Sequence, residues 1–174
     1  LFAAQGMRRQ KLQLAVFDYL SKELFLEVDQ VNWNGQTPLH YAVRKANPEL
    51  LDFFISQGVS VHQIDNNGNT ALINAASGSK TNLEKIAAIS KDINHQNKAG
   101  QSAITVTIER RNKENFDFLI GEGANLSQLD RKGNDLLYYA FVSHRNNTEN
   151  FTEHIIRTLQ AAGIDGDKAY DDNN

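Results

Sequence analysis

The 174-residue chain lacks cysteine altogether and contains only two prolines and one tryptophan. The absence of cysteine excludes disulfides, thiol nucleophiles and cysteine-ligated zinc. No apolar run approaches the roughly 20 residues that a helix needs to cross a bilayer. A sequence-independent grip on nucleic-acid phosphates needs clustered positive charge, and the net charge of −3 disfavours it. We therefore expect a soluble chain whose partners include neither a membrane nor nucleic acid.

The usual arrangements of catalytic residues are missing as well. No serine lies in a Gly-x-Ser-x-Gly turn, and no glycine-rich phosphate loop precedes a helix. The segment Ser77-Gly78-Ser79-Lys80 is superficially similar to such a loop, but it lacks the leading glycine pattern and a preceding strand. His144 and His154, with Glu153 nearby, bracket a polar loop without the fixed spacing of metal ligands. We expect no catalytic residue, no cofactor and no metal site.

What the chain does have is an internal repeat. Turn glycines recur at spacings of 33, 32 and 33 residues, and a residue that can cap a helix follows each of them two places on. A spacing that is held through three steps predicts one supersecondary unit copied in tandem, and such arrays bind surfaces rather than perform chemistry. The glycines are Gly35, Gly68, Gly100 and Gly133, and the capping residues are Thr37, Thr70, Ser102 and Asp135.

The first complete copy shows how one unit is built. Asn34-Gly35 is a turn dipeptide, and Pro38 stands where the first residue of a helix needs no N–H. Pro48 predicts the start of a second helix, and Gly58 predicts its left-handed end. Each unit is thus a turn, a helix, a short loop, a second helix and an extended arm such as Val59–Val61. The predicted apolar faces are Leu39, Ala42, Val43 and Ala46 on the first helix, and Leu50, Leu51, Phe53 and Phe54 on the second.

The glycine spacing divides the chain into one continuous array. The predicted repeats span 32–64, 65–96 and 97–129, and a last repeat spans 130–165 and contains a polar insertion from Ser143 to Asn150. Residues 1–31 are interpreted as a partial repeat and its connector. Residues 166–174 are interpreted as a polar tail.

The segment Gly-Gln-Thr-Pro-Leu-His-Tyr-Ala at Gly35–Ala42 resembles the signature of the ankyrin repeat family, and so does Gly-Ala-Asn-Leu at Gly123–Leu126. The proline of that signature is kept only in the first complete copy. The position of His40, which the family uses at the helix start, becomes isoleucine, threonine or tyrosine in later copies. The resemblance implies an all-α solenoid of stacked helix-turn-helix units joined by short hairpin-like loops. It also implies a monomeric, non-catalytic array that binds a protein partner.

The resemblance further implies a curved stack whose turn tips and first helices line the concave side. A partner would then contact side chains at the tips and at the ends of the first helices. These candidates are Trp33, Asn34, Gln36, Arg44, Lys45, Asn66, Asn67, Asn69, Lys98, Gln101, Arg110, Arg131, Lys132 and Asn134.

Several alternatives stay open at this point. Trp33 anchors an interface or packs on the connector that precedes it. The cations at the tips form a groove for an acidic protein segment or a merely solvated face. Arg110-Arg111 and Glu114 are interpreted as a surface ion pair at helical spacing. The whole array is a self-sufficient binding module or a regulatory or scaffold segment of a larger protein.

Overall fold

The structure, a computed structural model, describes residue 15 and residues 29–44, 48–143 and 149–164. Most of the predicted partial repeat and of the polar insertion, together with Lys45, Ala46, His144 and the polar tail, lies outside the described residues. Within residues 29–164, the described parts contain helices and turns but no β-strand. The architecture is therefore all-α, as the repeat pattern predicted.

Eight helices in these described parts form four successive hairpins. The first helices of the hairpins are α1 (Pro38–Arg44), α3 (Ala71–Ala75), α5 (Ala103–Glu109) and α7 (Leu136–Val142). The second helices are α2 (Pro48–Ser56), α4 (Lys80–Ile89), α6 (Lys113–Gly121) and α8 (Glu149–Ala161). Each first helix packs against its own second helix and against the first helix of the next hairpin. The stack grows in one direction, and each hairpin depends on its neighbours for burial.

The predicted capping residues stand at the starts of the first helices. The hydroxyl of Thr70 accepts a hydrogen bond from the backbone N–H of Ile73, and the carboxylate of Asp135 accepts one from Tyr138. Pro38 and Pro48 are the first residues of their helices. In α5 the local preference is poor, because Thr105, Thr107 and Ile108 are weak helix formers, and all three are buried. Packing between hairpins therefore stabilises a helix that its own sequence does not favour.

The core runs along the stack between the two layers of helices. Leu39, Val43 and Leu51 in the first hairpin are completely buried. The residues equivalent to Val43 in the next two hairpins, Ala76 and Ile108, are also completely buried. In the last hairpin the equivalent residue is Phe141, and 58% of its surface is exposed. No described first helix packs against that side of α7.

The predicted apolar face of α2 is confirmed: Phe54 lies in the core with 2% of its surface exposed, and Phe53 is partly buried against that core. One detail of the predicted unit is wrong. The arm predicted as extended from Val59 to Val61 instead turns at Val61 and His62.

Buried asparagines fix the register between hairpins. The side-chain amide of Asn82 on α4 donates to the carbonyl of Val43 at 3.3 Å. In the next hairpin, Asn115 on α6 donates to the carbonyls of Ala76 and Gly78, each at 3.0 Å. These carbonyls lie where the preceding first helix ends, so the asparagines satisfy groups that the helix leaves free.

Candidate functional site

Each turn tip is closed by the same set of hydrogen bonds. In the second tip the carboxylate Oδ1 of Asp65 accepts from the backbone N–H groups of Asn67 and Asn69, each at 2.9 Å. The backbone of Asp65 also accepts from Gly68 and donates to Asn69. Asn32, Asn97 and Asp130 make the same pairs of side-chain contacts in the other tips. We call these five-residue turns tip 1 (32–36), tip 2 (65–69), tip 3 (97–101) and tip 4 (130–134).

Neighbouring tips are also bonded to each other through their backbones. The N–H of Asn66 donates to the carbonyl of Asn34 at 2.8 Å, and the N–H of Lys98 donates to the carbonyl of Asn67 at 2.9 Å. The N–H of Arg131 donates to the carbonyl of Ala99 at 3.1 Å. The four tips therefore form one continuous, hydrogen-bonded row, and the spacing of their side chains is fixed before any partner arrives.

The structure places the predicted contact residues in two groups. The fifth residue of every tip is only half-exposed, and its side chain bonds to the first residue of the same tip. These four are Gln36, Asn69, Gln101 and Asn134. The rest of the described candidates are exposed: Trp33, Asn34, Arg44, Asn66, Asn67, Lys98, Arg110, Arg131 and Lys132. Lys45 lies outside the described residues. The exposed candidates, with the outward side of the first helices, form a surface that we call the tip face.

Trp33 in tip 1 is 99% exposed. The alternative that it packs on the preceding connector is therefore wrong. Its backbone carbonyl accepts a hydrogen bond from the side chain of Asn66 at 2.9 Å, so the position of its backbone is set by tip 2. An indole held by its backbone in open solvent is the kind of side chain that anchors an interface.

Two recesses open on the tip face, one on each side of tip 3. The larger recess, of about 750 Å³, lies between tips 3 and 4 and α7. The smaller recess, of about 570 Å³, lies between tips 2 and 3 and the ends of α1 and α5. Both linings contain Lys98, Ala99, Gln101, Glu109 and Arg110. The linings of the two recesses together contain five cationic side chains and two carboxylates.

The cations of the recesses have no ion-pair partner among the described carboxylates. Arg44, Lys98, Arg110, Arg131 and Lys132 make no salt bridge to any described residue, although the carboxylate of Glu109 lies close enough to Arg110 to interact with it electrostatically. Among the described residues, Glu109 offsets only the charge of Arg110, and the other four cations remain unpaired.

On the second helices, in contrast, charged side chains contact charged side chains of the neighbouring hairpin. Lys85 on α4 reaches Asp52 on α2 at 2.6 Å, and Lys80 on α4 reaches Glu114 on α6 at 3.6 Å. His154 on α8 lies 2.5 Å from Asp117 on α6. Contacts between charged or polar side chains thus join each second helix to the next.

The predicted ion pair between Arg110-Arg111 and Glu114 is wrong. Glu114 pairs with Lys80 instead. Arg110 is the C-cap that follows α5, and Arg111 takes a positive φ of 57°, so the helical spacing on which the prediction depended is broken between α5 and α6. The guanidinium of Arg111 donates to the carbonyl of Ser143 at the end of α7.

The two carboxylates of the recesses differ in how accessible they are. Burial opposes ionisation of Asp130. The carboxylate nevertheless accepts hydrogen bonds from the Tyr139 hydroxyl, from the backbone and side-chain amides of Asn134 and from the N–H of Lys132. These bonds outweigh the effect of burial and lower the pKa of Asp130 to about 2. Both of its oxygens are occupied. Burial raises the pKa of Glu109, whose carboxylate accepts from Gln101 at 2.6 Å. Glu109 is therefore the carboxylate of the recesses that a partner would meet.

His40 joins the first helix to the neighbouring tip. Its Nε2 lies 3.1 Å from the carbonyl of Asn69, which can only accept, so Nε2 carries the proton. Its Nδ1 is then the acceptor for the N–H of Thr37 at 3.2 Å. Burial lowers the pKa of His40 below its usual value. The predicted helix-start role of His40 is confirmed, and the contact with tip 2 adds a link between repeats.

Neither a metal cluster nor a membrane span emerges from the part of the chain that the structure describes. That part contains no group of three or more histidine, aspartate or glutamate side chains arranged to hold an ion. No helix in it combines the length and the apolar character that a bilayer crossing requires.

Sequence reasoning missed the residues that shape the tips. Asn32, Asp65, Asn97 and Asp130 stand three places before each glycine, and this Asn/Asp-x-x-Gly pattern was visible in the sequence. It also missed Tyr138 and Val142, which line the larger recess. No local signal marks these two, because apolar residues on a helix more often belong to the core.

A row of hydrogen-bonded tips on a stack of helical hairpins defines the class of the molecule as a helical-repeat solenoid. The comparison with protein families gives the particular repeat. Residues 11–90 match the family described as ankyrin repeats in three copies. The matched residues thus have the sequence of ankyrin repeats, and the same tip geometry continues past them through tips 3 and 4.

Curated relatives agree with this family. The chain is 33% identical to a putative ankyrin repeat protein of Coxiella burnetii over 104 residues, which are 58% of this chain and 30% of the relative. It is 29% identical to the B-cell lymphoma 3 protein homolog of Mus musculus over 61% of this chain and 25% of that protein. It is 25% identical to the transient receptor potential cation channel subfamily A member 1 of Homo sapiens, over 70% of this chain and 11% of that protein. The chain thus spans less than a third of the length of each of these relatives.

Proposed function

We propose that the chain is a non-catalytic protein-binding module that presents its tip face to a protein partner. Ankyrin repeats are generally protein-interaction modules, and this supports the proposal. The observation that carries it is the row of tips, in which every turn is closed internally and bonded to the next. A surface that is already ordered loses little conformational freedom on binding, so more of the contact energy appears as affinity.

The exposed side chains of the tip face suit this role. Trp33 offers a large aromatic side chain at one end of the row, and Lys98, Arg131 and Lys132 offer cations further along it. A standard interface buries about 800 Å² on each partner. A partner that covered several tips would reach that area. We expect the array to act as a single copy, which sedimentation would check.

The test is a selection of binding fragments followed by a comparison of faces. Protein fragments displayed on phage are selected on the immobilised array, and their affinities are then measured for tip-face and second-helix variants. We expect Trp33→Ala and Arg131→Ala to weaken binding. The matched controls are Ile89→Ala and Lys113→Ala, which remove an exposed apolar group and an exposed cation from the second helices.

Three outcomes separate the possibilities. Weakened binding by the tip variants alone supports the proposal. Weakened binding by the second-helix controls alone contradicts the choice of face. A selection that enriches no fragment above an unrelated helical protein contradicts the binding function itself.

A second candidate function is a regulatory or scaffold segment of a larger protein whose catalytic part lies elsewhere. The observation that favours it is the short span of the match, which covers 11% to 30% of the relatives described above. The complete open reading frame distinguishes the two, since an adjoining enzyme or channel domain would support the second candidate.

A further inference from the structure

We infer that the partner of the tip face is an extended acidic segment with an apolar side chain, bound along the two recesses beside tip 3. This inference rests on the proposed binding function and names the chemistry of its ligand. It follows from three properties of the recesses: their charge, their apolar floor and the position of their free carboxylate.

The recesses carry a net positive charge, whereas the chain as a whole is negatively charged. The chain has a net charge of −3, whereas the two linings contain five cations and two carboxylates, one of which is fully occupied by hydrogen bonds. The cations come from different repeats, with Lys98 on tip 3 and Arg131 and Lys132 on tip 4. Complementary charge of this kind steers a partner and sets its register.

The floor of the larger recess is apolar. Tyr138 and Val142 stand one turn apart on α7, line the recess and keep a third to a half of their surface exposed. Their counterparts in the first hairpin are His40, which is buried, and Arg44, which is charged. An acidic segment that ran past Lys98 and Arg131 would therefore place one apolar side chain on Tyr138 and Val142.

Glu109 marks the place where the two recesses meet. Its carboxylate accepts from Gln101 and lies beside Arg110, so it partly neutralises the cations around it. It should repel an acidic ligand. Replacing it by glutamine keeps the shape and removes the charge, which gives a variant expected to bind more tightly than the natural chain.

A nucleic acid fits these observations less well than a peptide. Five cations cluster in the recesses, whereas the second helices carry exposed carboxylates such as Asp52, Glu84 and Glu114. A phosphate backbone that extended beyond the recesses would meet no continuous positive surface, whereas a short peptide segment needs none.

The experiment is a selection of random short peptides displayed on phage against the intact array. We expect the enriched peptides to be acidic and to contain an aromatic or large aliphatic residue. One enriched peptide is then synthesised with a fluorescent label, and its affinity is measured for the natural chain and its variants over a range of salt concentrations. A fluorescent single-stranded DNA oligonucleotide of the same length is measured in parallel.

The variants make opposite predictions. Arg131→Ala and Lys132→Ala should each weaken binding by about two- to fivefold at low salt, and Glu109→Gln should strengthen it by about the same factor. Val142→Ala should weaken binding without changing its salt dependence. Lys113→Ala, a charge removed from the second helices, should leave affinity unchanged.

Two results would overturn the inference while leaving the proposed function standing. One is the enrichment of neutral or basic peptides that depend on tip residues. The other is an unchanged or weaker affinity of Glu109→Gln for an acidic peptide. If the oligonucleotide bound as tightly as the peptide, the proposed ligand would be a nucleic acid and not an acidic protein segment. No enrichment of any peptide would contradict the inference, and the proposed function would then depend on the fragment selection alone.

Discussion

The second helices and the tip face carry similar numbers of cations but use them in different ways. On the second helices, Lys80 and Lys85 are paired with carboxylates of neighbouring hairpins. On the tip face, Lys98, Arg131 and Lys132 meet no described carboxylate within salt-bridge distance. Lysines thus join repeats on the second helices, whereas these described tip-face cations remain unpaired.

This difference teaches how a repeat array separates stability from recognition. The tips are held mainly by their backbones and by small buried or half-buried side chains. Among the exposed tip side chains, Asn66 also bonds to the backbone of tip 1, whereas the lysine and arginine side chains are not needed for these contacts. Replacing them should change binding and leave the stack intact. Three predictions test this separation, in order of decreasing effect.

The largest effect is expected where a tip backbone meets its neighbour. Gly100 and Gly133 have almost the same φ, +83° and +82°. A Cβ on Gly100 would lie 2.5 Å from the backbone nitrogen of Arg131, whereas a Cβ on Gly133 would meet no atom within 4 Å. We expect Gly133→Ala to cost about 1–2 kcal/mol of left-handed strain. Gly100→Ala should cost about 2–5 kcal/mol, because overpacking adds to that strain.

Urea denaturation followed by circular dichroism measures both losses. The Gly133 variant is the matched control for strain alone. Equal losses in the two variants would show that contact between tips does not contribute to stability.

The next effect is expected at His40, which links α1 to tip 2. We expect His40→Gln to cost about 1–3 kcal/mol at neutral pH, because a buried hydrogen-bonded group loses part of its contacts. The folded pKa of His40 is lowered from 6.5, so the unfolded chain binds the proton first as the pH falls. The contribution of His40 is therefore fully present above about pH 6.5 and decreases below it.

The measurement is the free energy of unfolding of both chains across this pH range. The difference in unfolding free energy between the natural chain and the variant should shrink as the pH falls. The contributions of the other titrating groups cancel in this difference, because both chains contain them. A difference that stays constant or grows toward low pH would contradict the assigned neutral state of His40.

The smallest effect compares one cation from each surface. Lys85→Ala should cost about 0.2–1 kcal/mol, since it removes the ion pair with Asp52, and the loss should fade in high salt. Lys98→Ala should leave stability unchanged. A double-mutant cycle with Asp52→Ala isolates the pair, and a coupling energy of zero would remove the distinction between the two surfaces.

Much of this fold was predictable from the glycine spacing. The turns, the helix starts at Pro38 and Pro48 and the all-helical stack follow from local rules about turns, caps and periodicity. The deeper burial of Phe54 than of Phe53 did not follow, because adjacent apolar residues on a helix differ only by the angle at which the neighbouring helix meets them.

The candidate site was predictable only in part. The exposed tip positions could be located by counting from each glycine, as for Trp33 and Lys98. The pairing of Glu114 with Lys80 depends on a contact between residues far apart in the chain. The recesses depend on such contacts too, since Tyr138 lines a space whose other wall is tip 3.

The solvent exposure of Trp33 has a practical consequence for spectroscopy. It is the single tryptophan of the chain, and its indole is surrounded by water in the folded protein. Its fluorescence spectrum should hardly change when the stack unfolds, so emission is a poor probe of stability here. For the same reason, a blue shift of that emission on adding another molecule would report contact at the first tip without any label.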